Sequence, residues 1–288
     1  MPDPFLPYGQ KTFVMGILNV TPDSFSGDGL MEQKNLLAAA LAQATRFIEA
    51  GADILDIGGE STRPGSQLVN ADEELARVLP VIVALKKEFP QILLSIDTYK
   101  AAVAEAALQA GVHWVNDVWG LRADVKMAAV VASGHAPVVL MHNRSKSERV
   151  HIQAELGGTY LGADYGDFLA DVKAELMQSV ALAKAAGVTD EQIILDPGLG
   201  FGKSREQNLE LVNHLDEIKA LGYPVLLGPS RKSFIGYTLN LPPDQRVEGT
   251  AAVCAVGIVR GADILRVHDV EAIVRTARMT DALIRPSL

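Results

Sequence analysis

The chain has 288 residues, 48% hydrophobic and 21% charged, and 26 basic against 35 acidic side chains leave it at −9. That balance argues against a basic nucleic-acid or membrane surface, and a single cysteine, Cys254, excludes an intrachain disulfide framework or a cysteine-rich zinc site. Apolar runs such as 251–259 fall far short of the roughly 20 residues that cross a bilayer. The opening MPDPFLPYGQK lacks the basic and then apolar stretch of a secretory signal. A cytoplasmic protein, folded as one domain over 1–288, is the expectation.

The first predicted strand is KTFVMGILN (11–19). Six times thereafter an Ala-rich helical stretch meets a Gly and then a short aliphatic run: 47–59, 107–117, 131–142, 183–198, 219–228 and 259–269. A glycine at that place ends a helix in the left-handed conformation. QILLSIDT (91–98), behind Pro90, supplies the eighth run. The runs do not alternate with polar residues, so both strand faces are buried, as in a parallel sheet. Predicted strand ends fall at Asn19, Gly58, Asp97, Asn116, Met141, Asp196, Gly228 and Val267. The 248 residues from Asn19 to Val267 make seven steps of about 35, one βα unit each, which indicates an α/β fold of the (β/α)8 TIM-barrel type. A doubly wound sheet is the alternative. The repeated GADIL at 51–55 and 261–265 reads as shared turn chemistry, and the long polar connections 20–31, 59–71 and 143–165 read as functional loops.

On this frame Asn19, Asp97, Asn116, Asp196, Lys232, Arg266 and His268 all fall at or just past strand C-terminal ends, where active sites of such barrels lie. Any one of them alone could be a helix cap or turn former. Asp97, Asn116, Asp196 and Lys232 suit the edge of a flat, nitrogen-rich heterocycle. Asn19, Arg63, Arg266 and His268 suit a phosphate or diphosphate with Mg²⁺; the alternative is that both arginines pair with core carboxylates. DPGLGFGKS (196–204) fits neither phosphate-loop spacing and instead lets backbone approach a flat ligand, with Phe201 as a stacking face. GPSRKSF (228–234) places Ser230 at a predicted helix start, either as a simple cap or where backbone N–H groups favour an anion.

The segments MGILNVTPDSFSGDG (15–29), GADILDIGGESTRPG (51–65), SIDTYK (95–100), VNDVWG (115–120), DPGLGFGK (196–203), GPSRKSFIG (228–236), RVEGTAA (246–252) and GADILRVHD (261–269) together resemble the dihydropteroate synthases, in order over about residues 13–285. The resemblance implies a transferase joining 4-aminobenzoate to (7,8-dihydropterin-6-yl)methyl diphosphate. It implies an Mg²⁺ and diphosphate site at Asn19, Arg266 and His268. The implied pterin pocket comprises Asp97, Asn116, Asp196 and Lys232, walled by Met141, Phe201 and Gly228. The implied aminobenzoate side comprises Thr62, Arg63, Pro64 and Ser230, with Phe25 closing over it. Asp97, Lys232, Arg266 and His268 are the expected catalytic residues, and a homodimer the expected assembly. Two segments depart from the family pattern: SFSGDGL in the first loop, and MHNR with GGTYLGADYG after the fifth strand. A pterin-binding methyltransferase domain would have little use for STRPG, SRKS and the terminal R-x-H. A non-catalytic pterin-binding paralogue should have lost the leaving-group residues first.

Overall fold

The computed structural model describes residues 2–21, 33–61, 68–146, 150–153, 156–160 and 162–285. Eight parallel strands make the expected barrel: β1 (Phe13–Asn19), β2 (Ile54–Gly58), β3 (Leu93–Asp97), β4 (Trp114–Asp117), β5 (Val138–Met141), β8 (Ile193–Asp196), β9 (Leu226–Leu227) and β10 (Ile264–Val267). They run β8-β5-β4-β3-β2-β1-β10-β9, and a parallel bridge between Leu195 and Val225 joins the two ends of that order. The helices that flank them include α1 (Gln33–Glu49), α2 (Ala71–Glu88), α3 (Ala101–Gln109), α4 (Met127–Gly134), α5 (Phe168–Ala185), α6 (Arg205–Asn213), α7 (Leu215–Lys219), α8 (Ser233–Leu239), α9 (Val247–Val259) and α10 (Val270–Ile284). Among the described residues no helix is long and apolar enough to cross a membrane.

Strand side chains alternate between two faces, and each face has its own chemistry. Val14, Leu18, Leu55, Ile57, Leu94, Ile96, Leu140 and Leu265 belong to the large core shared with the helices. The other face begins apolar: Phe13, Met15, Ile54, Leu93, Trp114, Val139, Ile194, Leu226 and Ile264 form a separate cluster, with Leu6 and Tyr8 packed against it. Trp114 Nε1 donates to the Pro4 carbonyl at 2.8 Å, which ties the N-terminal segment to this cluster. Two residues further along the same face the side chains turn polar, at Asp56, Ser95, Asn116, Asp196 and Arg266. Period two thus sends one apolar and one polar layer into the same interior.

Five of the six recurring glycines end their helices left-handed: Gly51, Gly111, Gly187, Gly222 and Gly261 have φ between +92° and +102°. The sixth differs. Gly134 closes α4, and His135 takes the left-handed position at φ +48°. A Cβ on Gly134 would lie 2.9 Å from Leu108 Cδ1, so this glycine serves the close packing of α4 against α3. The two GADIL copies share turn chemistry as expected. Asp53 accepts from Val14 N (2.9 Å) and Lys11 Nζ (2.5 Å), while Asp263 accepts from Val225 N (2.8 Å) and Lys219 Nζ (2.6 Å). In each copy the aspartate fastens the start of a neighbouring strand.

The connection 143–165, read from sequence only as a loop, contains an antiparallel hairpin, β6 (Val150–Gln153) with β7 (Gly157–Tyr160). It reaches over to α8, where Ser233 Oγ donates to Thr159 Oγ1 at 3.1 Å, and to the residue before α9, where Arg246 Nη2 donates to the Leu156 carbonyl at 2.8 Å.

Candidate active site

A cavity of about 490 Å³ is lined by residues from the C-terminal ends of the strands, among them Asn19, Asp97, Phe201, Ser230, Lys232, Arg266 and His268. Seven of the residues singled out from sequence therefore meet at one place, as the barrel geometry requires. Asn116, Met141 and Asp196 do not line it; they lie buried at the ends of β4, β5 and β8, at 2%, 3% and 5% exposure. Gly228, also predicted, follows β9, and a Cβ there would sit 3.9 Å from Arg266 Cβ. Phe25, Thr62, Arg63 and Pro64 fall outside the described residues.

Arg266 organises the polar layer. Its Nε donates to Asp56 Oδ2 and its Nη2 to Asp97 Oδ2, both at 2.6 Å. For this arginine, pairing with core carboxylates is therefore what the structure contains, although the pairs use only Nε and Nη2 of a five-donor fork that lines the cavity. Burial opposes its charge, but Asp56 and Asp97 outweigh that and raise its pKa. Asp56 also accepts from Asn116 Nδ2 at 3.0 Å, and its buried Oδ1 has no hydrogen-bond partner. Burial pushes Asp97 up to about 7 against the pull of Arg266, with Asp56 adding to the rise. Two carboxylates thus share one guanidinium, leaving the trio negative when both are ionised.

Asp196 is raised by burial, opposed chiefly by Lys232 and by the Gly198 N–H, which donates to Oδ1 at 2.7 Å. Burial lowers Lys232 to about 8, against the attraction of Asp196. Its ammonium donates to the Leu199 carbonyl and stands 4.6 Å from the Phe201 ring centroid. That contact is a cation–π arrangement.

Ser230 is not at a helix start. Helix α8 begins at Ser233 with Lys232 at its N-cap, because the chain makes a left-handed turn at Arg231 first. Ser230 Oγ instead accepts from His268 N at 3.1 Å and lies 3.0 Å from His268 Nδ1. Ser230 is therefore paired with His268 instead of capping a helix, and the helix start that lines the cavity is at Ser233.

Sequence reasoning missed two residues. Asp56 lies inside the quoted DIGG segment, two positions before the strand end, and its period-two place on the inward face was the available signal. Lys203 closes DPGLGFGK and is 1% exposed. It donates to the carbonyls of Gly198 (2.8 Å) and Phe201 (3.2 Å) and lies 2.9 Å from His142 Nδ1. The loop that carries Phe201 is thus folded around a buried ammonium, whose pKa burial drives well down.

No cluster of three or more His, Cys, Asp or Glu side chains that could hold a metal ion occurs among the described residues. Asn19 Oδ1 and Asp97 Oδ2 flank Gly58, where a Cβ would lie 3.7 and 3.6 Å from them. One amide oxygen at the mouth fits a hard cation that takes its other ligands from phosphate and water.

The pterin binding enzyme family matches residues 15–268. The chain is 49% identical to the dihydropteroate synthase of Clostridium beijerinckii over 96% of both chains. It is 50% identical to that of Bacillus subtilis over 97% of this chain and 91% of the relative. Among solved structures, a Clostridium difficile dihydropteroate synthase determined in the presence of pteroic acid superimposes with a TM-score of 0.88. It has 50% identity and covers 97% of this chain and 99% of that one. A Xanthomonas albilineans dihydropteroate synthase with 4-aminobenzoic acid gives 0.85 at 41% identity, over 95% and 93%. With fold, rim chemistry and relatives in agreement, the chain belongs to the pterin binding enzyme family, as a transferase of the dihydropteroate synthase type.

Proposed function

We propose that this dihydropteroate synthase, which makes dihydropteroate in folate biosynthesis, divides its reaction along the rim. The pterin ring lies against Asp97, Asn116, Asp196 and Lys232, with Met141, Phe201 and Gly228 as walls. For the ring to reach the buried Asn116 and Asp196, the Lys232 ammonium must leave the Leu199 carbonyl and donate to the ligand instead. Arg266 and His268 face the diphosphate. Ser230, with Thr62, Arg63, Pro64 and Phe25, holds 4-aminobenzoate. The observation that carries this reading is the chain Asn116–Asp56–Arg266–Asp97, which links the heterocycle side to the leaving-group side through hydrogen bonds of 3.0 Å or less.

In the reaction the methylene C–O bond breaks, with both electrons leaving on diphosphate. The free Nη1 end of Arg266 and His268 stabilise that developing charge. Positive charge left on the pterin methylene is offset by the negative trio of Asp56, Asp97 and Arg266, of which Asp97 lines the cavity. The aromatic amine is neutral near pH 7, so its nitrogen attacks without a strong base, and the N–H proton then passes to solvent. Asn19 is the protein group that would hold Mg²⁺, whose charge would help neutralise the departing diphosphate.

The test is diphosphate release with and without 4-aminobenzoate, in the wild type and in Arg266→Ala. Release that yields dihydropteroate in the wild type and is crippled in the variant supports the reading; a near-normal rate in Arg266→Ala removes the leaving-group assignment. We also propose a homodimer in the cytoplasm. Exposed apolar side chains on neighbouring helices, Val256 and Val259 on α9 with Met279 and Leu283 on α10, support the dimer, and light scattering tests it.

A further inference from the structure

Ser230, Arg231 and Lys232 all line the cavity, although they are consecutive. In an extended chain neighbouring side chains point to opposite faces, so three in a row cannot share a wall. The left-handed turn at Arg231, φ +57°, is what brings them together. A side chain other than glycine resists that conformation and keeps it only where its surroundings hold it.

Three contacts do so. The Arg231 N–H donates to Thr250 Oγ1 at 3.2 Å, and its carbonyl accepts from Arg246 Nη1 at 2.8 Å. Its guanidinium makes a two-pronged pair with Asp269, Nε to Oδ2 at 2.9 Å and Nη2 to Oδ1 at 2.5 Å. Asp269 follows His268, so Ser230–His268 and Arg231–Asp269 are successive rungs joining the connections after β9 and β10. Arg246 is itself fixed. It is 2% exposed, donates also to the carbonyls of Leu241 and Leu156, and lies flat on Gly236, where a Cβ would fall 2.1 Å from Nη2. It therefore locks the turn to the hairpin tip and to α8 at once.

We propose that Arg231 is a positioning residue for the amine substrate: Asp269, Thr250 and Arg246 hold it left-handed, and that turn presents Ser230 and Lys232 together to the cavity. The inference rests on the placement of 4-aminobenzoate beside Ser230. Ser230 meets only the aminobenzoate, whereas Lys232 is one of four residues that hold the pterin ring and keeps its place beside Phe201. Loss of the turn therefore falls more heavily on the amine end, and its signature is a larger rise in KM for 4-aminobenzoate than in KM for the pterin diphosphate.

The experiment compares Asp269→Asn, Arg231→Ala, Arg231→Gly and the doubles Asp269→Asn with Arg231→Gly or Arg231→Ala, each as the full-length enzyme. Asp269→Asn and Arg231→Ala should raise KM for 4-aminobenzoate about fivefold to tenfold, the size expected of released backbone strain, with KM for the pterin diphosphate within about twofold. Glycine adopts the left-handed turn without a clamp. Arg231→Gly should therefore stay closer to wild type than Arg231→Ala, and the Gly double should outperform the Ala double. A general loss of folding would not produce that order. Equal values for the Gly and Ala variants, or equal rises in both constants, overturn the proposal. Ser230→Ala is measured alongside. If it raises KM for aminobenzoate while Arg231→Ala does not, the clamp alone is wrong; if Ser230→Ala changes nothing, the placement of the substrate is wrong and the clamp's role goes with it.

Discussion

Replacing Asp56 by Asn tests the polar layer at a fully buried carboxylate. Asp56 is 0% exposed, and its Oδ2 accepts from both Arg266 and Asn116. The substitution keeps the shape, removes one negative charge and turns the ion pair with Arg266 into a hydrogen bond from the guanidinium to a neutral amide oxygen. Arg266 keeps Asp97 at 2.6 Å, so the buried cation is not left alone. The cost is then that of a hydrogen bond to a charged group, about 2 kcal/mol, rather than the roughly 3–5 kcal/mol of a fully broken buried pair. At this chain length each kcal/mol moves Tm by about 2–4 °C, so a fall of about 4–8 °C is expected by calorimetry. The catalytic consequence has a definite sign. Asp56 contributes to the elevation of Asp97 to about 7, so removing its charge lowers the Asp97 pKa. The acid limb of kcat/KM should move to lower pH while kcat itself drops, since the anchor common to Arg266 and Asn116 loses its charge. An unchanged Tm together with an unmoved acid limb would refute the idea that these groups form one coupled unit.

Because Asp97 must be ionised and Lys232 protonated to act as assigned, kcat/KM should rise through about 7 and fall through about 8, a narrow bell seen in initial rates. A broad plateau from roughly pH 6 to 9 would remove one of those two roles. Stability carries the opposite sense: with its folded pKa above its unfolded one, Asp97 supports the fold at acid pH and loses that contribution as pH rises through about 7. Asp97→Asn should therefore flatten the fall of Tm across that interval. Lys203→Met, similar in length but unable to bind the Gly198 and Phe201 carbonyls, should raise KM for the pterin diphosphate about tenfold by loosening the Phe201 wall. An unchanged KM would make Lys203 irrelevant to the pocket.

The barrel was legible because its signals are local and repeated. Non-alternating aliphatic runs, spaced about 35 residues apart and preceded by a helix-ending glycine, leave few other arrangements, and the strand ends fall where the runs stop. Where the same surface pattern served a different purpose, the reading failed. Gly134 looks like the other five glycines, but its small size serves helix contact, which depends on Leu108 from another helix. Ser230 looked like a helix start because SRKSF carries cap-forming residues; the left-handed turn at Arg231 that moves the start to Ser233 depends on Thr250, Arg246 and Asp269, all remote in sequence. Asp56 is less conspicuous because polar residues stand out where an aliphatic run ends, whereas Asp56 lies one inward position deeper. The hairpin at 150–160 gave no period-two signal that stood out from its polar connection.

The central claim is that a flat heterocycle is gripped at the buried carboxylate end of the rim, with the departing anion beside it. Calorimetric titration of a pterin into wild type and Asp196→Asn tests this most directly. The account predicts a measurable enthalpy of binding to the wild type and none to the variant; equal affinity in the two proteins would contradict it.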